Sequence, residues 1–286
     1  DRLDYSNDTA TASPKGPLAS GRATAAASGN ADFGYVMGGV FPSLGYPGSQ
    51  VDRTDYSNDT VTSLRRGGDL NTTSSAFSAA GNSSSGYAAG GQTSPSFTKH
   101  SKVQRLDYAT DTTDAVLKGP LNRTVNGHAA VSSRSNAIPL INTVNYAQGT
   151  LATPHFGYFG GGNPGTSSVN RIDFSNDTAT ATTKGPLTQA RNQLAAVSSS
   201  SHGYFAGGYP SPQKSTIDRV DYLNDTTAAA PKGPLSLARY RFAGTDTKDF
   251  GYLAAGENPS VSPGTLSSVE RVDYSNDSAT AVAKGP

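Results

Sequence analysis

The chain copies itself. Arg-x-Asp followed by Tyr or Phe begins at Arg2, Arg53, Arg105, Arg171, Arg219 and Arg271, at intervals of 48 to 52 residues apart from one of 66. Lys-Gly-Pro returns at Lys15, Lys118, Lys184, Lys232 and Lys284, and Arg66-Gly67-Gly68 stands in the remaining copy. Gly-Tyr opens a further shared element at Gly34, Gly86, Gly157, Gly203 and Gly251. It closes on Gly38-Gly39, Gly90-Gly91, Gly161-Gly162, Gly207-Gly208 and, in the last copy, Ala255-Gly256. A repeat of this length marks stacked supersecondary units, each too small to bury both of its faces alone.

The fourth unit shows what one copy contains. "NQLAAVSSS", "HGYFAGG", "STIDRVDYL" and "TTAAAPKGP" read as four short strands separated by turn residues, as in an antiparallel meander. No stretch keeps a 3.6-residue period over ten residues, so helices are not expected. The first strand is built of small residues, which suits a crowded axis. The Gly pair lets the second strand bend or approach another backbone closely. Pro14 and Pro231 lie in the fourth strand, and proline belongs on an edge. A unit of about 50 residues with four strands predicts a propeller blade.

The unit from Gly203 to Gly244 resembles the kelch repeat. Gly207-Gly208, Tyr222, Thr226 and Arg239 fall in that family's places, whereas small residues such as Ala229 occupy its Trp position. The resemblance spans the chain except for Ser133–Pro154, and it implies an all-β, kelch-like β-propeller of four-stranded antiparallel blades. The Asn-Asp-Thr and Lys-Gly-Pro-Leu version also resembles kelch-like structural proteins of marine tailed phages. We expect one propeller domain over 1–286, with repeats starting near 2, 53, 105, 171, 219 and 271 and an insertion at 133–154. It should hold five complete blades plus a partial one, within an intact ring of six or seven. Such a set closes if a further first and second strand follow Pro286, or if another chain pairs with its open edge. The chain does not begin with Met, which suits a segment of something longer.

Composition narrows the function. A net charge of +1 lacks the basic face that nucleic acid requires. The absence of Cys removes disulfides, thiolate metal sites and thiol nucleophiles, and with them the Cys-modified Tyr chemistry of copper-oxidising propellers. No run approaches a membrane span. His100, His128, His155 and His202 sit in different repeats without ligand spacing, and are expected at the surface or at strand ends. Asp-Tyr-Ser-Asn-Asp lacks the alternating ligands and Gly of a calcium loop. No cofactor or metal is therefore expected.

Several residues are candidates for contact or support. In Arg-x-Asp the two charges point to one face of a strand, so Arg53 with Asp55, Arg171 with Asp173 and Arg219 with Asp221 are expected to form an inter-blade ladder of ion pairs. Asn7, Asn58, Asn176, Asn224 and Asn276 open Asn-x-Ser/Thr sequons, which are glycosylation acceptors in a secreted eukaryotic protein. The same letters make a turn, since Asn and Asp tolerate left-handed geometry. In Lys-Gly-Pro, Gly should supply special dihedrals that turn the chain toward the next blade. The loops after Gly-Gly vary and should share one rim, where Phe41, Tyr46, Phe97 and Tyr209 are candidate ligand or partner contacts. Ile138, Leu140 and Tyr146 of the insertion form a candidate docking surface. The pattern points to binding or assembly and not to catalysis. The expected protein is an extracellular or virion structural component, such as a phage tail fibre or particle-surface protein. Its partners would be other subunits, copies of itself or host glycans. The alternative is a secreted, lectin-like propeller of cellular origin.

Overall fold

The computed structural model describes residues 1–43, 45–93, 95–133, 156–210 and 212–286. Five four-stranded antiparallel sheets follow one another along the chain. Blade 1 comprises Ala26–Gly29, Phe33–Met37, Val51–Asp55 and Leu64–Arg65. Blade 2 comprises Ser78–Gly81, Ser85–Ala89, Val103–Asp107 and Val116–Lys118. Blade 3 comprises Ala129–Ser132, Phe156–Gly160, Val169–Asp173 and Thr182–Lys184. Blade 4 comprises Ala195–Ser198, His202–Ala206, Ile217–Asp221 and Ala230–Lys232. Blade 5 comprises Ala243–Asp246, Phe250–Ala254, Val269–Asp273 and Val282–Ala283. The fold is a β-propeller.

Strand order within a blade follows from side-chain size and edge chemistry. Ala27, Ala79, Ala130, Ala196 and Gly244 of the first strands line the axial cavity, where only small side chains fit. Pro231 pairs with Asp218 on the outermost strand, where its missing N–H leaves no sheet bond unmade. The apolar core lies between blades. Val197, Tyr204, Ile217, Leu235, Leu253 and Val272, for example, form one cluster joining blades 4 and 5.

The Gly-Gly pairs are required by main-chain contact across blades. Gly207 has φ +60°, and a Cβ there would stand 2.6 Å from the Arg239 carbonyl oxygen. Gly208 then donates its N–H to that same oxygen at 2.8 Å. Lys-Gly-Pro works through proximity, contrary to the expectation of special dihedrals. None of its glycines has positive φ. Gly185 instead donates to the Asp225 carbonyl at 2.8 Å, and a Cβ on it would stand 1.6 Å from the Thr227 oxygen.

The first residues of the chain complete the circle. Arg2 and Ser13 form a two-way bridge, as third and fourth strands do elsewhere. On one side Gly285 donates to the Asp8 carbonyl and Ala12 to that of Pro286. On the other side Gly16 donates to the Asp59 carbonyl and Ser63 to that of Pro17. The segment thus stands between blades 5 and 1 as the outer half of a sixth blade.

Candidate functional site

Each blade is joined to the next by one repeated polar node. In blade 3, Tyr158 lies opposite Arg171 across the central strand pair, so hydroxyl and guanidinium project side by side. Both reach Asp225 of blade 4, at 2.9 and 2.7 Å, and Lys184 joins them at 3.1 Å. Asp111, Asp177, Asp277 and Asp8 collect the same three kinds of donor from the preceding blade, with Arg66 replacing Lys at Asp111. Burial pushes the Asp177 carboxyl up, but the hydrogen bonds from Lys118 and Tyr87 and the Arg105 charge outweigh it and hold it below the usual carboxylate range. Burial first, and Asp111 second, raise the Tyr35 phenol to about 12, so it stays a donor at neutral pH.

This differs in detail from the expected ladder. Arg53, Arg171 and Arg219 do bridge blades, but their partners are Asp111, Asp225 and Asp277, the aspartates of the turn that reads Asn-Asp-Thr at Asp225, Thr-Asp-Thr at Asp111 and Asn-Asp-Ser at Asp277. Asp55, Asp173 and Asp221 stay within their own blades and accept the N–H groups of Ser57, Ser175 and Leu223. The turn that follows is tight and right-handed, as at Tyr56–Asn58. No Asn or Asp of these turns has positive φ. Left-handed geometry falls instead on Thr24, Ala76, Gly127, Gln193 and Arg241, one per blade, just before the first strand. Those residues are linked in order: Ala76 donates to the Thr24 carbonyl, Gly127 to Ala76, Gln193 to Gly127 and Arg241 to Gln193.

Three blades carry a second, deeper ion pair that the reading of Arg-x-Asp missed. Arg22–Asp52 and Arg191–Asp218 have fully buried side chains, and Arg239–Glu270 is within 1% of that. Blade 2 has Ser74 and Gln104 in these places, and blade 3 has Val125 and Asn170. Both members change together from blade to blade, and that joint change was the available signal. His100 and His128 are buried and so are not at the surface, although His128 does stand at a strand end, immediately before Ala129. Desolvation lowers each to a pKa of about 4, so both are neutral at pH 7.

The exposed candidates divide between two faces. Bridges such as Ala23 with Val40 and Asn192 with Tyr209 tie each post-Gly-Gly loop to the segment entering the first strand, on one rim. Tyr46, Phe97 and Tyr209 are 42%, 44% and 41% exposed there. Tyr209 also faces Tyr240 at 5.8 Å, and Arg241 lies over the Tyr240 ring. Phe41, expected as a contact, is buried beneath the Arg22 guanidinium and is a core residue. The opposite face carries the Asn-Asp-Thr turns, where Asn7, Asn58, Asn176, Asn224 and Asn276 are exposed. Ser133 and Phe156 are hydrogen-bonded to each other on that second face. Ile138, Leu140 and Tyr146, like His155, lie outside the described residues. Among the described residues no group of three or more His, Asp or Glu is placed to hold a metal, and no helix is long and apolar enough to cross a membrane. A cavity of 1480 Å³ runs from the axis toward the sixth position, past Tyr5, Tyr56 and Asp246.

No family model and no curated protein matches the sequence. Among solved structures, the chain is similar to that of YjhT, with a TM-score of 0.69 over 92% of this chain and 84% of that one, at 12% identity. At that identity the likeness defines a shared propeller architecture.

Proposed function

We propose that the protein is a non-catalytic binding or assembly propeller, built from diverged kelch-like repeats. It serves an extracellular or virion structural particle, such as a tail fibre or particle surface, and contacts other subunits or host glycans. The observation that carries this reading is the division of labour within the repeat. The recurring charged residues are occupied in joining blades, while the variable loops after Gly-Gly hold Tyr46, Phe97 and Tyr209 outward on one rim. Exposed aromatic rings on a rigid scaffold suit stacking on sugars or packing against protein. The proposed contact set is these three residues together with Ile138, Leu140 and Tyr146.

The test compares the protein with a Tyr46→Ala/Phe97→Ala/Tyr209→Ala variant on a glycan array and by sedimentation velocity. The reading expects glycan binding or self-association that the triple variant loses at least tenfold. A protein that stays a lone monomer and retains no glycan overturns it. The alternative, a secreted cellular lectin, draws on the exposed sequons, because Asn58 and its four counterparts present their side chains on an open face. Mass spectrometry of the protein isolated from its own source separates the two, since only the secreted cellular protein would carry sugar at those Asn residues.

A further inference from the structure

The sixth position holds only the outer half of a blade. Elsewhere the Tyr of Gly-Tyr stacks on the aromatic ring after Arg-x-Asp in the next blade: Tyr35 on Tyr108, Tyr87 on Phe174, Tyr158 on Tyr222, Tyr204 on Tyr274 and Tyr252 on Tyr5. Tyr56 is the ring in blade 1 that such a Tyr would cover. It is 51% exposed and, among the described residues, has no ring stacked on it, against 8% for Tyr108 and 5% for Tyr222; Tyr5, which lines the same cavity, is 43% exposed beneath Tyr252. The node below it is also short of a donor. Asp59 receives Arg2 and Lys15 but no phenol, and its side chain is 17% exposed, where the other five node aspartates range from 6% to 10%.

Two further features stop at the same place. The hydrogen-bonded chain of left-handed residues runs from Thr24 to Arg241, and among the described residues neither the Thr24 N–H nor the Arg241 carbonyl continues it. The first strand of blade 5, Ala243–Asp246, is exposed over its first three residues, whereas its counterpart Ala195–Ser198 is mostly buried. A ring, a carboxylate, a backbone donor with a backbone acceptor, and a strand face are thus all arranged for one shape of occupant.

We propose that the cleft between blades 5 and 1 is a docking site for a two-stranded β-hairpin of this repeat's own pattern: an inner strand of small residues, then a Gly-Tyr strand ending in Gly-Gly. The incoming Tyr ring stacks on Tyr56, and its hydroxyl donates to Asp59. The inner strand fills the axial side against Ala243–Asp246. The residue entering that strand takes the N–H of Thr24 on its carbonyl and donates its own N–H to Arg241. The inner edge of Arg2–Asp4, opposite the one that bridges to Ser13, pairs with the second strand, as Arg219 pairs with Tyr204 in blade 4. This inference stands apart from the aromatic rim, which lies outside the cleft.

The test uses the full chain and a labelled synthetic peptide copying residues 187–208, which span the first hairpin of blade 4. Fluorescence anisotropy should show saturable binding. A Tyr204→Ala change in the peptide, or Tyr56→Ala or Asp59→Ala in the protein, should weaken it at least tenfold, while Leu223→Ser in the protein leaves it unchanged. As the peptide need not form a hairpin alone, a second arm appends the same 22 residues after Pro286, which stands at the junction that Pro186 occupies before residue 187. That chain should melt at higher urea, and Asp59→Ala should cancel the gain. Peptide binding indifferent to Tyr56 and Asp59, or an appended hairpin without stabilising effect, overturns the proposal. So does a concentration-dependent dimer that Tyr56→Ala dissociates and the peptide does not, because a second copy is then the occupant.

Discussion

Replacing equivalent aspartates at a complete and an incomplete node should cost very different amounts. Asp225 accepts from Tyr158 at 2.9 Å, Arg171 at 2.7 Å and Lys184 at 3.1 Å, with its side chain 7% exposed. Asp225→Ala leaves two cations and a phenol facing one another without an acceptor between blades 3 and 4. Removing one partner of a buried ion pair costs about 3–5 kcal/mol, more than the net worth of the bonds lost, because the remaining charges stay desolvated. Asp59 has the same sequence context, but its Arg2 partner is 61% exposed and water can solvate what the mutation frees. Asp59→Ala should therefore cost about 1 kcal/mol or less. Urea unfolding followed by tyrosine fluorescence measures both, the comparison resting on midpoints at an unchanged slope. Equal losses for the two variants would refute the claim that node energy depends on burial by the preceding blade.

Three other outcomes are expected. Ala255 occupies the left-handed position held by Gly38, Gly90, Gly161 and Gly207, at φ 63°; Ala255→Gly should raise stability by about 0.5–1 kcal/mol in the same unfolding assay, whereas Gly207→Ala should lower it by more than 1 kcal/mol. Desolvation lifts the Asp246 carboxyl from 3.8 to about 6, against the opposing hydrogen bonds of Ser198. Folding thus favours the protonated acid, and its contribution is present below about pH 4 and lost as pH rises through 6. Asp246→Asn should raise stability at pH 7 by up to about 3 kcal/mol and leave it unchanged at pH 3, as read from paired melts at the two pH values. Arg239→Leu alone should destabilise by about 3–5 kcal/mol by stranding Glu270, and adding Glu270→Leu should restore only part of the loss in a double-mutant cycle, because the Ser236 and Leu237 N–H groups and the Ala255 and Ser268 carbonyls then lose their partners.

Much of this architecture is legible because the same letters recur. The phase of Gly-Tyr, Arg-x-Asp and Lys-Gly-Pro, with Arg66-Gly67-Gly68 in place of the last in blade 1, marks the second, third and fourth strands of the blades, and the small residues before Gly-Tyr mark the axis. Contacts between blades are less legible, since the partners lie far apart in the chain. Arg219 meets Asp277 across 58 residues and not Asp221 two residues away. A two-residue offset shows only that charges share a strand face, and Asp221 satisfies its carboxylate locally by capping the turn. Phe41 misled because an aromatic residue in a variable loop reads the same whether it projects outward or folds beneath Arg22.

The sequence by itself determined the repeated unit, its four strands, and which positions the unit keeps and which it leaves free, because those properties depend on neighbours within one sheet. Only the tertiary structure decided that residues 1–17 stand between blades 5 and 1, that each aspartate of the turn after Arg-x-Asp serves the blade before its own, and that Tyr56 and Asp59 lack the partner their counterparts have. These features depend on closing a circle. Closure brings together residues from the two ends of the chain, and no local pattern of side chains records that encounter.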